Sequence, residues 1–264
     1  KSSGKKQTKS SVLKIDEEGV LFRSYRDGNT VLLTPETSVQ AQKDLGADII
    51  IPFDELPPYH IDPKALRESF DRTHRWEKRS IDAHRSNVRN QAMYGVIHGG
   101  LDRALRYESY CQLRKDPFDG FAIGGSVGKS KEDLQTLIKD MSDYLPDEDP
   151  VHLLGIGDLP SIHNTLPFGI DTFDSSFPTK AARHGLFMTT RGEVRIKNAR
   201  HTMDSSPIDA SCSCHTCQNY SRRYLKHLFK ASELTFYTLA TIHNIHFMVQ
   251  FMRDVREKIL RDEI

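Results

Sequence analysis

The sequence predicts an α/β fold in which parallel strands alternate with helices. Short apolar runs, such as ADIIIPF at residues 47–53 and GFAI at 120–123, are separated by longer amphipathic segments. One of these segments, residues 63–85, spaces its apolar side chains at helical intervals. Strands that are joined through helices run parallel with crossover connections, so the chain forms either an open doubly wound sheet or a closed barrel.

Each element is predicted from local spacing. Apolar runs predict five strands, at residues 47–53, 94–97, 120–123, 151–154 and 169–173. Helical spacing predicts four helices between them, at residues 63–85, 101–113, 131–144 and 159–166. The first helix has one broad apolar face, made by Leu66, Phe70, Trp76 and Ile81. After Thr179 the alternation of strands and helices ends. The sequence then predicts two short strands around Arg191-Gly192 and helices at 219–229, 232–241 and 245–260.

Carboxylates and glycine pairs recur directly after the predicted strands. The five strand ends read FDE (53–55), HGG (98–100), GGS (124–126), GIG (155–157) and DSS (174–176). A barrel places its active site at the carboxyl ends of its strands, so this recurrence favours a barrel with one shared site. The alternative is that glycine and aspartate are common turn residues.

The composition indicates a soluble globular protein in a reducing compartment. Of the 264 residues, 37% are hydrophobic and 28% are charged, and the net charge of +1 excludes a uniformly basic nucleic-acid coat. No apolar run approaches the roughly 18 residues of a membrane span, and the start is not a signal peptide. Three of the four cysteines are clustered, which argues against a disulfide scaffold and for a cytoplasmic location. Residues 1–16, rich in Lys, Ser and Gly, are predicted to be flexible.

The cysteine cluster predicts one structural zinc ion. Cys212, Cys214 and Cys217 form a C-x-C-x-x-C motif, whose thiolates can surround a tetrahedral ion. The histidines close enough to supply a fourth ligand are His215, His227, His243 and His246. We favour His243 as the fourth ligand because it falls at a predicted helix end. With four protein ligands the ion would have no position left for a reactive water, which is typical of a structural site. The alternative is a group of buried cysteines without a metal.

Positive charge is concentrated around this cluster. Residues 180–230 contain ten Lys or Arg and three Asp or Glu. The candidates for phosphate contacts are Lys180, Arg183, Arg191, Arg195, Lys197, Arg200, Arg222, Arg223 and Lys226. Such a patch can bind a nucleic-acid backbone without reading bases, although an ordinary solvated face has the same composition.

Several motifs together resemble one family. They are PFDE (52–55), FAIGG (121–125), LLGIG (153–157), FDSSFPTKAARHG (173–185), RIKNAR (195–200) and the cysteine cluster with a histidine 26 residues after Cys217. In this order, and from about Glu17 to the C-terminus, the chain resembles the tRNA-guanine transglycosylases of the bacterial-type queuosine branch.

The resemblance implies a zinc-containing (β/α)₈ TIM barrel that exchanges guanine at the tRNA wobble position 34 for a deazaguanine, preQ1 or queuine. It implies no redox cofactor or ATP, a cytoplasmic homodimer, and tRNA as partner. The expected organisation is a flexible segment at 1–16, barrel elements at 17–185, a zinc-binding helical subdomain at 186–245 and a helix at 246–264 that packs on the barrel. The barrel is expected to be incomplete here, because the family's upstream D-S-G-G-[YF]-Q motif has no match.

The resemblance also assigns roles to residues. Asp174 matches the nucleophile that forms a covalent ribosyl intermediate, and Asp54 matches the carboxylate that accepts hydrogen bonds from the base. The other residues expected around the base are His98, Gly124, Gly125 and Leu154. Lys180 and Arg183 match family phosphate contacts, and Arg191, Arg195, Lys197 and Arg200 are added from the basic patch.

Two departures from the family affect the base pocket. Ile97-His98 stands where the family usually has Gln, and Ser126 replaces a Leu in a loop that is one residue shorter. We hypothesise that the pocket is reshaped for a different incoming base, the larger queuine instead of its aminomethyl precursor. Two other functions are kept as alternatives, a non-catalytic partner subunit of a heterodimeric transglycosylase and a zinc-stapled RNA-binding module without chemistry.

Overall fold

The structure is a computed structural model that describes residues 11–264. These residues form two compact units. The first unit comprises residues 11–154 with Asn164–Thr172, and the second comprises Gly155–His163 with Phe173–Ile264. The domain boundaries expected after residues 16, 185 and 245 stay predictions.

The strands and helices follow one another along the chain. The strands are β1 Val12–Ile15, β2 Val20–Arg23, β3 Thr30–Leu33, β4 Ile49–Ile50, β5 Ala92–Ile97, β6 Gly120–Ile123, β7 Val151–Leu153, β8 Thr172–Phe173, β9 Leu186–Thr189 and β10 Gly192–Arg195. The helices are α1 Pro35–Leu45, α2 Pro63–Arg85, α3 Arg103–Leu113, α4 Lys131–Ser142, α5 Leu159–Thr165, α6 Phe177–Arg183, α7 His215–Asn219, α8 Arg222–Ala231 and α9 Leu234–Leu260. Short 3₁₀ helices lie at Leu166–Phe168 and Ala199–His201.

Part of the segment predicted to be flexible is a strand. β1 pairs antiparallel with β2, with Val12 opposite Phe22 and Ile15 opposite Val20, and β2 pairs with β3. The prediction is wrong for residues 12–15, because the partner strand supplies backbone hydrogen bonds that a Lys- and Ser-rich composition does not reveal. Residues 1–10 of the same predicted segment lie outside the described residues.

The main sheet has five strands in the order β4-β5-β6-β7-β8. β4 to β7 are parallel, with Ile97 beside Ile123 and Ile123 beside Leu153. The predicted α/β fold with parallel strands is therefore confirmed. A strand order without a reversal is that of a barrel segment, whereas a doubly wound sheet reverses its order at a switch point. Closure into eight strands stays a prediction.

Helices α2, α3 and α4 begin at capping residues. Asp62 and Asp102 accept hydrogen bonds from the backbone N–H groups of the first turns of α2 and α3, and Pro63 occupies the first position of α2. Ser130 and Asp133 form a reciprocal capping box at the start of α4. These caps set where the chain leaves each loop of the main sheet and turns back along a helix.

The second unit contains one long helix where two were predicted. α9 is continuous from Leu234 to Leu260, so the predicted helix break and the predicted boundary at residue 245 fall inside it. The predicted break lies between Thr241 and Ile245 and contains the polar residues His243 and Asn244. Both side chains are buried, and Asn244 donates to the carbonyls of Pro178 and Leu186 and accepts from the Met188 N–H. The polar pair therefore binds neighbouring elements instead of ending the helix.

The predicted hairpin is present, with Gly192 opposite Thr189 and Arg195 opposite Leu186. It packs into an apolar cluster of the second unit that includes Phe187, Ile196, Leu225, Phe236 and Leu239. In residues 11–264 no helix combines the length and the apolarity that a membrane span requires.

Candidate functional site

The loop that carries Asp54 is held by two hydroxyl groups of α2. The backbone N–H of Phe53 donates to Ser80 Oγ at 3.1 Å, and that of Glu55 donates to Thr73 Oγ1 at 3.0 Å. The two bonds flank Asp54 on either side in the sequence. Because Ser80 and Thr73 are buried and belong to a regular helix, they fix the direction in which Asp54 projects.

Asp54 and His98 meet at the carboxyl ends of β4 and β5. Asp54 Oδ2 lies 3.2 Å from His98 Nε2, which is within ion-pair distance. The two groups are not aligned for a hydrogen bond, however, and His98 Nε2 has no hydrogen-bond partner in the described part of the chain. His98 is only 4% exposed, so a buried ring nitrogen faces the carboxylate with its hydrogen-bonding capacity unused.

A buried chain of hydrogen bonds fixes the backbone of His98. Its N–H donates to Ser109 Oγ at 3.0 Å, and Ser109 Oγ lies 2.9 Å from His74 Nε2. His74 Nδ1 is 2.8 Å from the carbonyl oxygen of Phe70, so this nitrogen carries the proton and Nε2 accepts from Ser109. Burial lowers the pKa of His74 to about 4, which keeps the ring neutral in this tautomer.

Gly124 and Gly125 follow β6 and bring the backbone close to the same place. A Cβ on Gly124 would lie 2.5 Å from Val96 Cγ1 and 3.1 Å from Leu154 Cδ1, so no side chain fits there. Gly125 has φ +74°, which favours glycine. A Cβ on Gly125 would lie 3.3 Å from His98 Nδ1. The predicted base contacts Asp54, His98, Gly124, Gly125 and Leu154 thus all follow strands of the main sheet.

A cavity of about 260 Å³ adjoins this group in the first unit. Its walls are mostly apolar and include Leu66, Phe70 and Tyr59, and it reaches His98 and Ser126. The hydroxyl group of Ser69, a cavity residue that is 2% exposed, has no hydrogen-bond partner in the described part of the chain. Two of the residues that line the cavity, Ser69 and His98, thus each have a buried polar side-chain atom without a hydrogen-bond partner in the described part of the chain.

Asp174 lies in the second unit, directly after the last residue of β8. Its Oδ1 accepts a hydrogen bond of 2.7 Å from the backbone N–H of Gly155. A Cβ on Gly157 would lie only 2.3 Å from Ser175 Cβ, so the loop at residues 155–157 can approach the Asp174 loop only with glycine at this position. Gly155 and Gly157 of the LLGIG motif thus position the loop that carries the Asp174 carboxylate.

Four of the six predicted RNA-binding residues share one cleft of about 890 Å³ in the second unit. They are Lys180, Arg183, Arg195 and Lys197, and His184 and Lys230 line the same cleft. Within residues 11–264 no carboxylate lines it. The other two, Arg191 and Arg200, line a different cavity together with Glu193, Asp204 and Asp209. The structure therefore divides the predicted set between a cleft whose charged residues are all basic and a cavity with charges of both signs.

The four predicted metal ligands come together. The ligand atoms of Cys212, Cys214, Cys217 and His243 all lie within 4.8 Å of one another. His243 Nδ1 is 3.8, 3.5 and 3.2 Å from the three sulfurs in that order. A tetrahedral zinc ion with Zn–S bonds of about 2.3 Å separates its ligand atoms by roughly 3.7 Å, so the group could hold such an ion.

The surroundings orient the histidine of this group. His243 Nε2 lies 2.8 Å from the carbonyl oxygen of Met188, so Nε2 carries the proton and Nδ1 faces the sulfurs. Thr216 Oγ1 donates to the carbonyl of Leu239 at 2.6 Å and links α7 to α9. His246, one of the three other histidines considered, instead contacts Ser213 Oγ at 3.3 Å.

Sequence reasoning missed the polar side chains that support the site. Ser69, Thr73, Glu77, Ser80 and His84 are all buried on α2, at spacings of four, four, three and four residues. The predicted apolar side chains Phe70, Trp76 and Ile81 are buried as well, and Leu66 is half-buried. The spacing of these polar residues could have revealed that they share a face of α2, because it matches the helical repeat as closely as the spacing of the apolar residues does.

Comparison with known proteins identifies the family. The family model for queuine tRNA-ribosyltransferase matches residues 1–264. The chain belongs to the queuine tRNA-ribosyltransferase family. A relative from Protochlamydia amoebophila (strain UWE25), named queuine tRNA-ribosyltransferase, is 58% identical over 100% of this chain and 68% of its own length. A relative of the same name from Chlamydia caviae is 54% identical over 100% of this chain and 71% of its own length.

Membership of this family confirms the resemblance found in the sequence. It also confirms the predicted enzyme class, a pentosyltransferase of the tRNA-guanine transglycosylase type. The non-catalytic partner subunit and the RNA-binding module are not favoured, because the match covers the whole chain.

Proposed function

We propose that this chain exchanges guanine at tRNA position 34 for a deazaguanine base, with Asp174 as the nucleophile. The observation that carries the proposal is the Asp174 carboxylate after β8, held by the N–H of Gly155. This backbone hydrogen bond fixes the orientation of the Asp174 carboxylate. The oxocarbenium character of the transition state at C1′ favours a carboxylate as attacking group.

The exchange proceeds in two displacements at C1′. In the first, an oxygen of Asp174 forms a bond to C1′ while the bond from C1′ to N9 of guanine breaks, and N9 takes the electron pair and a proton. In the second, the corresponding nitrogen of the incoming base loses a proton, attacks C1′ and releases the carboxylate. One proton is gained and one is lost, so the net reaction needs no oxidant, reductant or nucleotide cofactor.

Asp54 accepts hydrogen bonds from the base in this proposal. Guanine and its deaza analogues carry adjacent N–H donors at N1 and the 2-amino group, and one carboxylate can accept both. Ser80 and Thr73 hold the Asp54 loop. The absence of a side chain at Gly124 lets Val96 and Leu154 pack against its backbone. His98 offers its unused Nε2 as a further polar contact.

The cavity beside His98 supports queuine as the preferred incoming base. Queuine differs from its aminomethyl precursor by a cyclopentene ring with two hydroxyl groups. Apolar walls at Leu66 and Phe70 suit the ring, and the unused Ser69 Oγ suits a hydroxyl group. Exchange rates for the two bases test this proposal, with Ser69→Ala expected to reduce the preference for queuine. A clear preference of the wild-type protein for the precursor would contradict it.

The basic cleft is proposed to bind tRNA phosphates. Lys180, Arg183, Lys197 and Lys230 have no carboxylate within ion-pair distance in residues 11–264, so their charges are available to a polyanion. Lys230→Ala should weaken tRNA binding and lower the slope of log affinity against log salt by about one, because one phosphate contact is lost. The matched control is Arg191→Ala, which changes the other cavity. Equal salt slopes for the two variants would contradict a role for the cleft.

The metal group is proposed to bind one structural zinc ion. Three thiolates and an imidazole are the donors that zinc prefers, and the His243 Nε2–H to Met188 bond leaves Nδ1 as the ligand atom. With four protein ligands the ion would supply no reaction step and would hold α7 and α9 together. Metal analysis of the purified protein checks this, with one zinc per chain expected and none in Cys214→Ser.

A homodimer and a cytoplasmic location complete the proposal. α9 exposes Ile242, Ile245 and Val249 at spacings of three and four residues, which is a surface that a second copy could cover. Action on tRNA supports the proposed cytoplasmic location. Light scattering of wild type and Ile245→Glu tests the dimer, and cell fractionation tests the location. A monomeric wild type, or a protein recovered outside the cytoplasm, would contradict the respective statement.

The deciding experiment is the incorporation of radiolabelled guanine into tRNA by the complete gene product. Asp174→Asn should lower exchange by at least about 10³-fold, because an amide oxygen is a poor nucleophile at C1′. Asp149→Asn, a matched change at an exposed carboxylate outside the site, should leave exchange unchanged. Full exchange by Asp174→Asn would show that another residue carries the chemistry, and would favour the partner-subunit alternative if a second protein proved necessary.

A further inference from the structure

Arg106 is a buried cation behind the base-contact loops. It lies on α3, is 0% exposed and donates to three backbone carbonyl oxygens. Nε donates to Gly100 at 2.9 Å, Nη2 donates to Ser126 at 3.2 Å, and Nη1 donates to Ile97. Ile97 is the last residue of β5, Gly100 lies in the loop after β5, and Ser126 lies in the loop after β6.

No carboxylate neutralises this guanidinium within the described residues 11–264. Burial lowers the pKa of Arg106 to about 10, and the group therefore remains charged at neutral pH. A buried cation is costly unless it is fully hydrogen-bonded, and here carbonyl dipoles replace the usual acidic partner. The backbone carbonyls stabilise the charge of the Arg106 guanidinium, and their hydrogen bonds to it hold the two loops in place.

The same loops carry the base-contact residues. Ile97 and Gly100 bracket His98 and Gly99, and Ser126 directly follows Gly125. The Ile97 carbonyl also accepts from the Gly124 N–H, so one oxygen joins Arg106 to both loops. Gly125 is close enough that a Cβ built on it would lie 3.9 Å from Arg106 Nη2.

We propose that Arg106 is a positioning residue that holds the His98 and Gly124-Gly125 loops in the arrangement that binds the base. The proposal rests on the base-exchange function. Arg106 acts only through the two loops. Its planar guanidinium carries donors on three separate nitrogens, whereas lysine carries its three donors on a single nitrogen and cannot span the same carbonyls. Loosening the loops should affect binding of the base more than binding of tRNA.

The test is Arg106→Lys in the complete gene product, with Arg103→Lys as matched control. Arg103 lies on the same helix, and its exposed side chain pairs with Asp140. Arg106→Lys should raise the KM for guanine about tenfold or more, since small misplacements of binding groups are costly. The KM for tRNA should stay within about twofold, and Arg103→Lys should match wild type in both constants.

A second measurement separates positioning from general stability. In Arg106→Lys, backbone amide hydrogen exchange should quicken in residues 98–101 and 124–128 and remain unchanged in the second unit. Unchanged base KM with unchanged exchange in these loops would overturn the proposal. Global unfolding of the lysine variant would also overturn it, because the role would then be structural. A wild-type protein without guanine exchange would instead refute the proposed function.

Discussion

The two compact units hold their functional residues by different means. In the first unit, buried polar side chains bind the backbone of the loops one bond at a time, as Ser80 and Thr73 do beside Asp54 and Arg106 does behind His98. In the second unit, one group of three cysteines and His243 lies against a continuous apolar cluster. Support is thus distributed in the first unit and concentrated in the second.

The difference has a physical consequence. A distributed set of hydrogen bonds allows each loop to be adjusted separately, and losing one bond costs only about 1–3 kcal/mol. A metal group joins distant segments in one step, and its loss removes all of those connections together. We therefore expect graded effects from substitutions in the first unit and an all-or-none effect at the metal group.

The largest expected effect follows loss of the proposed zinc ion. Cys217→Ser, or chelation of the wild-type protein, should unfold the segment from about residue 186 into α9 and abolish tRNA binding, since structural zinc contributes on the order of 10 kcal/mol. Hydrogen exchange should report this loss while the amides of the parallel sheet remain protected. Cys111→Ser is the matched control, because Cys111 lies on α3 outside the metal group. Tight tRNA binding by fully metal-free protein would show that the second unit does not depend on the cysteine–histidine group for its fold.

The second effect concerns pH and Glu77. This carboxyl is fully buried on α2, its Oε1 accepts from the Val96 N–H at 2.9 Å, and burial raises its pKa well above the usual value. The folded state therefore keeps a proton that the unfolded chain releases above about pH 4.3. As pH rises above that value, the wild-type free energy of unfolding should fall by up to about 1.4 kcal/mol per unit until the folded-state pKa is reached.

Glu77→Gln removes the titratable carboxyl group, so the free energy of unfolding of the variant should no longer show this fall with rising pH. The stability of the variant relative to wild type should rise between pH 5 and pH 8, measured by urea denaturation at several pH values. Glu108→Gln is the control with the opposite sign, because Arg67 lowers the pKa of Glu108, and that pairing stabilises the fold at high pH and is lost on acidification. If the free energy of unfolding changed with pH in the same way in Glu77→Gln and in wild type, Glu77 would have to be ionised in the folded protein.

The smallest expected effect is a single lost hydrogen bond. Ser80→Ala leaves the Phe53 N–H without its acceptor and should lower the free energy of unfolding by about 1–3 kcal/mol. The matched control is Ser86→Ala, an exposed hydroxyl at the end of the same helix, with an expected change within about 0.5 kcal/mol. Equal effects in the two variants would contradict a supporting role for the buried hydroxyl group.

Much of the candidate site could be predicted from the sequence. The metal group is encoded by the spacing of Cys212, Cys214 and Cys217, because ligands close together in the chain are close together in space. The strand-end groups at Asp54 and Gly124 follow from the alternation of strands and helices, which brings the carboxyl ends of the strands to one edge. The helix α2 was predicted with its observed bounds, since its apolar spacing is regular.

Other features could not be predicted because they depend on distant partners. The strand β1 needs β2 opposite it, and the continuity of α9 depends on elements that bind His243 and Asn244. Arg191 and Lys230 carry the same kind of charge, yet only Lys230 lines the basic cleft. The charge of a segment is read directly from its residues, whereas the direction of each side chain is set by packing.

The sequence by itself therefore determined the family, the parallel α/β architecture and the four residues that could hold a metal. Local spacing and residue chemistry suffice for these. Only the tertiary structure decided which polar side chains turn inward, such as Glu77 and Arg106, and which loops they hold. A polar residue on a helix is expected to face water unless a buried backbone group needs a partner, and that need exists only once the chain has folded.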